Sequence, residues 1–334
     1  MTLAVRRDLD ELRSGLAKWL GRPIGAIERP APGWSCETLV VEGDLVVRLP
    51  PLGDGIFPVY DLAQQTAVQE TVHSCGVPVA SPARFEPDPT FLGAPFVAMP
   101  FVAGPIPSEP TPADAWLVGL ADASKVRTVW LSFVETVSAI HATPTADLGL
   151  RSGLEDELAF WSEYLAWACD GAPPRDLTTA LAWCCAHRPS HEPPPGLLWG
   201  DVRLGNVVFD VRRCVPKAVL DWDMASAGPA EMDVAWFLAL DRLQTDLTGM
   251  NLKGFGTREE TVATAERRMG RALAHLEWYE VLALVRASAI STRIAVLFER
   301  AGQESMFRIG HDPALAAALS RIAVRDDPKS NRTS

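Results

Sequence analysis

A short stretch at residues 197–225, LLWGDVRLGNVVFDVRRCVPKAVLDWDMA, breaks an otherwise helical pattern and limits the folds open to this chain. Its apolar runs 197–199 and 207–209 flank a polar loop, Gly200–Asp201–Val202–Arg203–Leu204–Gly205–Asn206. A turn at Arg212–Arg213 leads to a third run, 217–220, which ends on Asp221–Trp222–Asp223. Runs of three or four apolar residues bounded by turn signals read as buried strands and are too short for helices. The helical part of the chain must therefore be built around a small β element whose strand ends carry polar residues.

The first hundred residues read as mixed α/β. An amphipathic helix pattern opens the chain, and ETLVVEG and DLVVRLP read as strands joined by a tight turn at Glu42–Gly43–Asp44. A helix is predicted from about residue 60 to 74, ended by Gly76 and Pro78. Strands are predicted at 83–86 and 95–102. The connector AGPIPSEPTP, 103–112, can sustain neither helix nor internal sheet and marks a boundary. Helical patterns follow at 116–141, 154–169, 177–187, 258–269 and 273–300, with no internal repeat. The expectation is an α+β, bilobal chain: a β-rich N-terminal lobe over 1–102 and a larger helical lobe over 103–334.

Composition narrows the class. Hydrophobic residues make up 48% and charged residues 22%, which suits a packed core and excludes a disordered or fibrous chain. The formal charge of −11 argues against nucleic acid and anionic membranes as partners, since both demand a basic footprint. Six cysteines form no CxxC pair or zinc-finger spacing and read as reduced thiols of a cytoplasmic protein. The most apolar segment, 281–298, contains Arg286 and Arg293 and reads as a buried helix rather than a membrane span.

The island carries the chemistry. Asp201 and Asn206 stand in an Asp-x4-Asn spacing, and Asp221 follows fifteen residues later at another strand end. Phosphoryl transfer needs such a set: one carboxylate to accept the substrate hydroxyl proton, and an amide and a second carboxylate to hold Mg2+ against nucleotide phosphates. Hard oxygen donors in small number suit Mg2+. Any one of these acids alone would read as a solvated loop residue. Their order within apolar strands is what points to chemistry.

These residues resemble the aminoglycoside phosphotransferase and choline-kinase-like family, whose fold is protein-kinase-like. The family's H-G-D-x4-N loop is matched by WGDVRLGN, its D-W-(E/D) strand end by AVLDWDMA, and the stretch that follows by GPAEMDVAW. The upstream phrase GVPVASPARFEPDPTFLGAPFVAMPFVAGPI resembles that family's strand-to-hinge segment. The similarity is greatest to the branch of kinase domains associated with acyl-CoA dehydrogenases and their actinobacterial counterparts. It implies an ATP- and Mg2+-dependent phosphotransferase acting on a small-molecule hydroxyl. Carried over, Asp201 is the catalytic base, and Asn206 and Asp221 hold Mg2+. Asp223 is a second acid that touches a metal, orients the first ligand or caps the next helix. Asp233 ties down the catalytic loop, and His141 packs beneath it.

The chain departs from that family in places. Trp199 replaces the usual loop histidine and is expected to buttress by packing. Arg48, in LVVRLPP, occupies the place of the phosphate-clamping strand lysine. Gln65 stands where a pairing glutamate is usual, and Glu70 is the alternative partner for Arg48. In PAPGWSCETLV, Gly33 is the single glycine of the nucleotide-covering loop, with Ser35 expected near the phosphates. Met99 falls at the gatekeeper position, the Pro100 carbonyl and Val102 N–H being the hinge groups that face adenine. The segment 266–308 holds seven arginines against five acids, so it forms no anionic cage for an aminoglycoside. An anionic substrate such as a hydroxyacyl compound stays open. So does a nucleotide-binding pseudokinase with a sensing or scaffold role.

Overall fold

The strand predictions rest on alternation, and the computed structural model, described over residues 6–30 and 35–326, shows where each face goes. Strands β1 (Ile27–Glu28), β2 (Glu37–Val41), β3 (Leu45–Leu49), β4 (Arg84–Glu86) and β5 (Phe96–Pro100) form one antiparallel sheet in the order β1-β2-β3-β5-β4. Helices α1 (Leu9–Leu20) and α2 (Leu62–Ser74) belong to the same lobe. Leu39, Val41, Val47, Leu49, Phe96 and Ala98 point to one face and close over Leu12 and Leu16 of α1. Period-two geometry sends the residues between them to the other face. There Val40, Val46, Arg48 and Met99 look into a cleft. The β2–β3 turn is tight because Glu42 and Gly43 both take positive φ (54° and 76°), the pairing that matches strand twist.

The helical part comprises α3 (Ala115–Gly119), α4 (Ala123–His141), α5 (Gly153–Ala168), α6 (Arg175–Ala186), α7 (Glu231–Thr248), α8 (Arg258–Met269), α9 (Leu276–Arg300) and α10 (Pro313–Asp326). The predicted helix 116–141 is two helices. Ala121 takes φ +56° after Gly119, and Asp122 restarts the chain as an N-cap bonded to Ser124 N. Likewise α9 begins at Leu276 instead of 273, because His275 sits at φ +55°. Most of α9 is buried against α5, α6, α7 and α10, so the longest apolar segment is a core helix covered by protein. Helices α7 and α10, strand β1 and strand β9 (Ser226–Gly228) fall outside the predicted elements.

The island sits where predicted. Strand β6 (Gly196–Leu198) pairs with β9 (Ser226–Gly228), and β7 (Val207–Phe209) pairs with β8 (Pro216–Val219). The loop between β3 and α2 is fastened to the helical lobe. Tyr164 Oη donates to Ile56 O (2.8 Å) and Arg293 Nε to Gly55 O (3.0 Å). From α2 itself, Gln64 Nε2 donates to Leu148 O and Gly149 O at 3.2 and 2.9 Å.

Candidate active site

The loop at 200–206 is held from below. Gly200 takes φ +88°, and a Cβ there would lie 2.2 Å from Met224 O, so only glycine lets β6 turn away at this point. Asp233, fully buried near the start of α7, accepts from Trp199 N (2.8 Å) and Gly200 N (3.0 Å) and meets His141 Nε2 at 3.0 Å. A carboxylate at a helix N-terminus that satisfies two loop amides fixes the loop's course. The expected packing role of His141 is thus a hydrogen bond. Arg286 of α9, buried between the Trp161 and Trp236 rings, donates to Gly200 O at 3.4 Å.

The side chains above this floor are fixed as well. Asp201 Oδ2 accepts from Asn206 Nδ2 (2.7 Å) and Arg203 Nε (2.9 Å), and Arg203 Nη1 reaches Glu109 at 3.0 Å. Because the Asn206 amide nitrogen is spent on Asp201, its oxygen is the group left to coordinate. Leu220 N donates to Asn206 O at 2.9 Å, placing the end of β8 beside the loop. Asp221 then adopts φ +63°, a left-handed conformation uncommon outside glycine and concentrated at functional sites. Trp199 Nε1 donates to Leu220 O (3.0 Å) and Asp221 O (2.9 Å), so the indole buttresses by hydrogen bonding and not by packing alone.

Arg48 crosses from the sheet to this turn. Its Nη2 lies 3.3 Å from both Asp221 Oδ1 and Asp223 Oδ2, and Gln65 Nε2 donates to the other Asp223 oxygen. Burial raises the Asp221 carboxyl, but the Arg48 guanidinium, joined by the neighbouring Asp223 and Arg203 side chains, outweighs it, and Asp221 stays below the usual range. Burial and the neighbouring Asp221 charge push Asp223 up to about 7 in spite of Arg48. Burial also pushes the adjacent Cys36 thiol up, which leaves it a poor nucleophile.

These groups border a cleft of about 250 Å³. Val40, Val46 and Met99 of the sheet line one wall and Val208 and Leu220 of the island another. Pro100, Phe101 and Val102 close its edge, while Ser35, Arg48, Asn206 and Asp221 mark its polar end. An apolar slot ending in a few convergent polar groups is the form of a small-molecule site. The arrangement gathers Ser35, Arg48, Met99, Pro100, Val102, Asn206 and Asp221 on one cleft, with Asp201 joined through Asn206. Gln65 and Asp223 lie behind it. The alternative partner Glu70 is elsewhere, accepting from Ser81 Oγ and Ala83 N. Gly33 lies outside the described residues.

Among the described residues no three His, Cys, Asp or Glu side chains converge on one point. The Asn206 oxygen and the Asp221 carboxylate are hard donors suited to a cation that takes its other ligands from phosphates and water, which is the habit of Mg2+. Residues the sequence reading passed over are Arg203, Glu109 and Arg286. Arg203 had a signal, as a cation two positions from the proposed base. Glu109 and Arg286 arrive from distant segments and had none.

Comparison with known proteins agrees with this geometry. Residues 26–272 match the model of the phosphotransferase enzyme family. Human acyl-CoA dehydrogenase family member 11 is 27% identical over 199 residues, spanning 58% of this chain and 24% of that protein, so the likeness concerns about a quarter of the relative. A candidate aminoglycoside phosphotransferase from Ralstonia eutropha JMP134 superposes with TM-score 0.64 at 17% identity over 95% of both chains. The GDP and kanamycin complex of APH(2″)-IIIa does so with TM-score 0.55 at 16% identity, over 97% of this chain and 100% of that one. The family match takes in Arg48, the loop at 200–206 and the Asp221–Trp222–Asp223 turn. The chain belongs to the phosphotransferase enzyme family and has a protein-kinase-like bilobal fold.

Proposed function

We propose that this protein transfers the γ-phosphoryl group of ATP, with Mg2+, to a hydroxyl group of a small molecule in the cytoplasm. The observation that carries this reading is the joint fixing of Asp201 and Asn206. The base is held at 2.7 Å by the same residue that lines the cleft together with Asp221. Asp201 accepts the proton of the attacking hydroxyl, and Arg48 with Ser35 steadies the phosphates. Asn206 and Asp221 would hold Mg2+, which supplies neutralisation of the charge on the phosphate oxygens. Six unpaired thiols support a reducing compartment.

Substrate charge cannot be taken from a count of the arginines of the helical lobe, because six of the seven between 266 and 308 are engaged within the protein. Arg271 pairs with Glu231, Arg300 with Asp54 and Asp170, and Arg286 with Glu157. An aminoglycoside, an amino alcohol and a hydroxyacyl compound are therefore tested together by ADP release. Gln65 in place of an acid favours a second reading, nucleotide binding without transfer. Thermal-shift titration with ATP separates the outcomes. The enzyme requires Mg2+-dependent stabilisation together with ADP release on some acceptor, whereas the pseudokinase gives the first without the second. Absence of any Mg2+-dependent shift overturns the metal assignment.

A further inference from the structure

We propose that Asp223 is the anchor of Arg48, replacing the acid that a phosphate-binding strand cation ordinarily takes from the neighbouring helix, and that Asp221 alone of the two acids is a metal ligand. This assignment rests on the phosphotransferase reading of the same cleft.

Arg48 and α2 face each other. The α2 residues beside Arg48 are Leu62, Gln65, Thr66 and Gln69, none of them acidic. The single acid of α2, Glu70, is turned to Ser81 and Ala83. The helix thus offers Arg48 no carboxylate. One comes instead from across the cleft, where Asp223 Oδ2 stands 3.3 Å from Arg48 Nη2.

The two acids differ in surroundings. The Asp221 side chain is 29% exposed and borders the cleft with Asn206. The Asp223 side chain is 4% exposed, and the cleft wall does not include it. Arg48 and Gln65 both direct donors at it, one to each oxygen. With a donor on each oxygen and the side chain almost wholly enclosed, little room is left for a cation with its own hydration. Gln65 fits the same logic. Its amide donates to Asp223, whereas a glutamate there would set a second carboxylate against a buried one. The acid has exchanged places with its donor: the charge sits on the strand end and the neutral amide on the helix. Asp223 is accordingly a positioning residue, acting on phosphate through Arg48.

The test is a cycle of four proteins: wild type, Asp223→Asn, Gln65→Glu and the double variant, which moves the carboxylate to α2. Each is followed by thermal unfolding and by calorimetric titration with ATP, with and without Mg2+. Each single variant is expected to unfold at lower temperature and to bind Mg2+-ATP about tenfold more weakly. The double variant is expected to regain most of both losses, to within about threefold in affinity. Asp223→Asn should keep the wild-type ratio of affinities with and without Mg2+. A double variant no better than the weaker single, or a collapsed Mg2+ ratio in Asp223→Asn, overturns the anchor assignment. Should Asp223→Asn fail to fold, recovery of folding in the double variant supports the proposal and continued failure overturns it. Failure of the wild type to bind Mg2+-ATP would instead count against the phosphotransferase reading, while the unfolding cycle still decides the anchor.

Discussion

The indole N–H of Trp199 donates to the backbone carbonyl of Asp221 across 2.9 Å. One ring thereby links the catalytic loop to the turn that presents the second acid, although 22 residues separate them. The family's loop histidine stands at this position, and tryptophan keeps a ring N–H there while adding bulk. A tilted contact with Trp222, with centroids 6.1 Å apart and ring planes at 45°, holds the ring in place.

Replacing that donor should be felt at both ends. Trp199→Phe leaves the Leu220 and Asp221 carbonyls without it and should cost about 1–3 kcal/mol, read from urea unfolding. Trp199→His, which restores a ring N–H, should recover Mg2+-dependent nucleotide binding better than phenylalanine does. Equal binding by the two variants would reduce the indole to a space filler.

Asp201→Asn keeps the shape of the loop but removes the proton acceptor. Nucleotide binding should persist while phosphoryl transfer falls by about 10²–10⁴-fold. Coupled ADP-release kinetics on any active acceptor measure this, and unaltered turnover would assign the base elsewhere.

Asp233 serves two amides and an imidazole with one buried carboxylate. Asp233→Asn retains one accepting oxygen and should lose about 3 kcal/mol of stability. Activity should fall with it, as a loosened loop no longer holds Asp201 in register. A variant with wild-type unfolding behaviour would show that the loop is self-supporting.

Burial pushes Asp241, on α7, up to about 6 from its ordinary 3.8. The folded state therefore holds this proton more tightly than the unfolded chain does. The resulting stability is fully present below the ordinary value and is lost as pH rises through about 6. Asp241→Asn should match the wild type in melting temperature near pH 4 and exceed it near about pH 7.5. An equal gain at both pH values would contradict this origin.

Alternation exposed the sheet, since Leu39, Val41, Val47 and Leu49 mark the core face of β2 and β3 in plain view. The Asp201, Asn206 and Asp221 constellation was legible because its members lie within one short stretch. Helix α7 was not, because from Glu231 to Ala239 every residue is buried, and a helix enclosed on all sides shows no amphipathic period. The break at Ala121 was hidden because its left-handed turn falls on an ordinary alanine and not on Gly119, two residues before it. Contacts between distant segments were out of reach altogether. Gln65 meets Asp223 across 158 residues, and no spacing rule links an amide on one helix to an acid on a far strand end.

The fastening of the β3–α2 loop bears on how such a molecule can be controlled. In protein kinases, moving the corresponding helix in and out is a means of switching. Here Tyr164, Arg293 and Gln64 hold the loop and helix to the other lobe, and an outward swing would break all of these bonds together. At about 0.5–1.5 kcal/mol net for each bond, the swung-out form would be rare at equilibrium. The position of α2 is thus set by the fold, and a regulator working through this helix would first have to unfasten one lobe from the other.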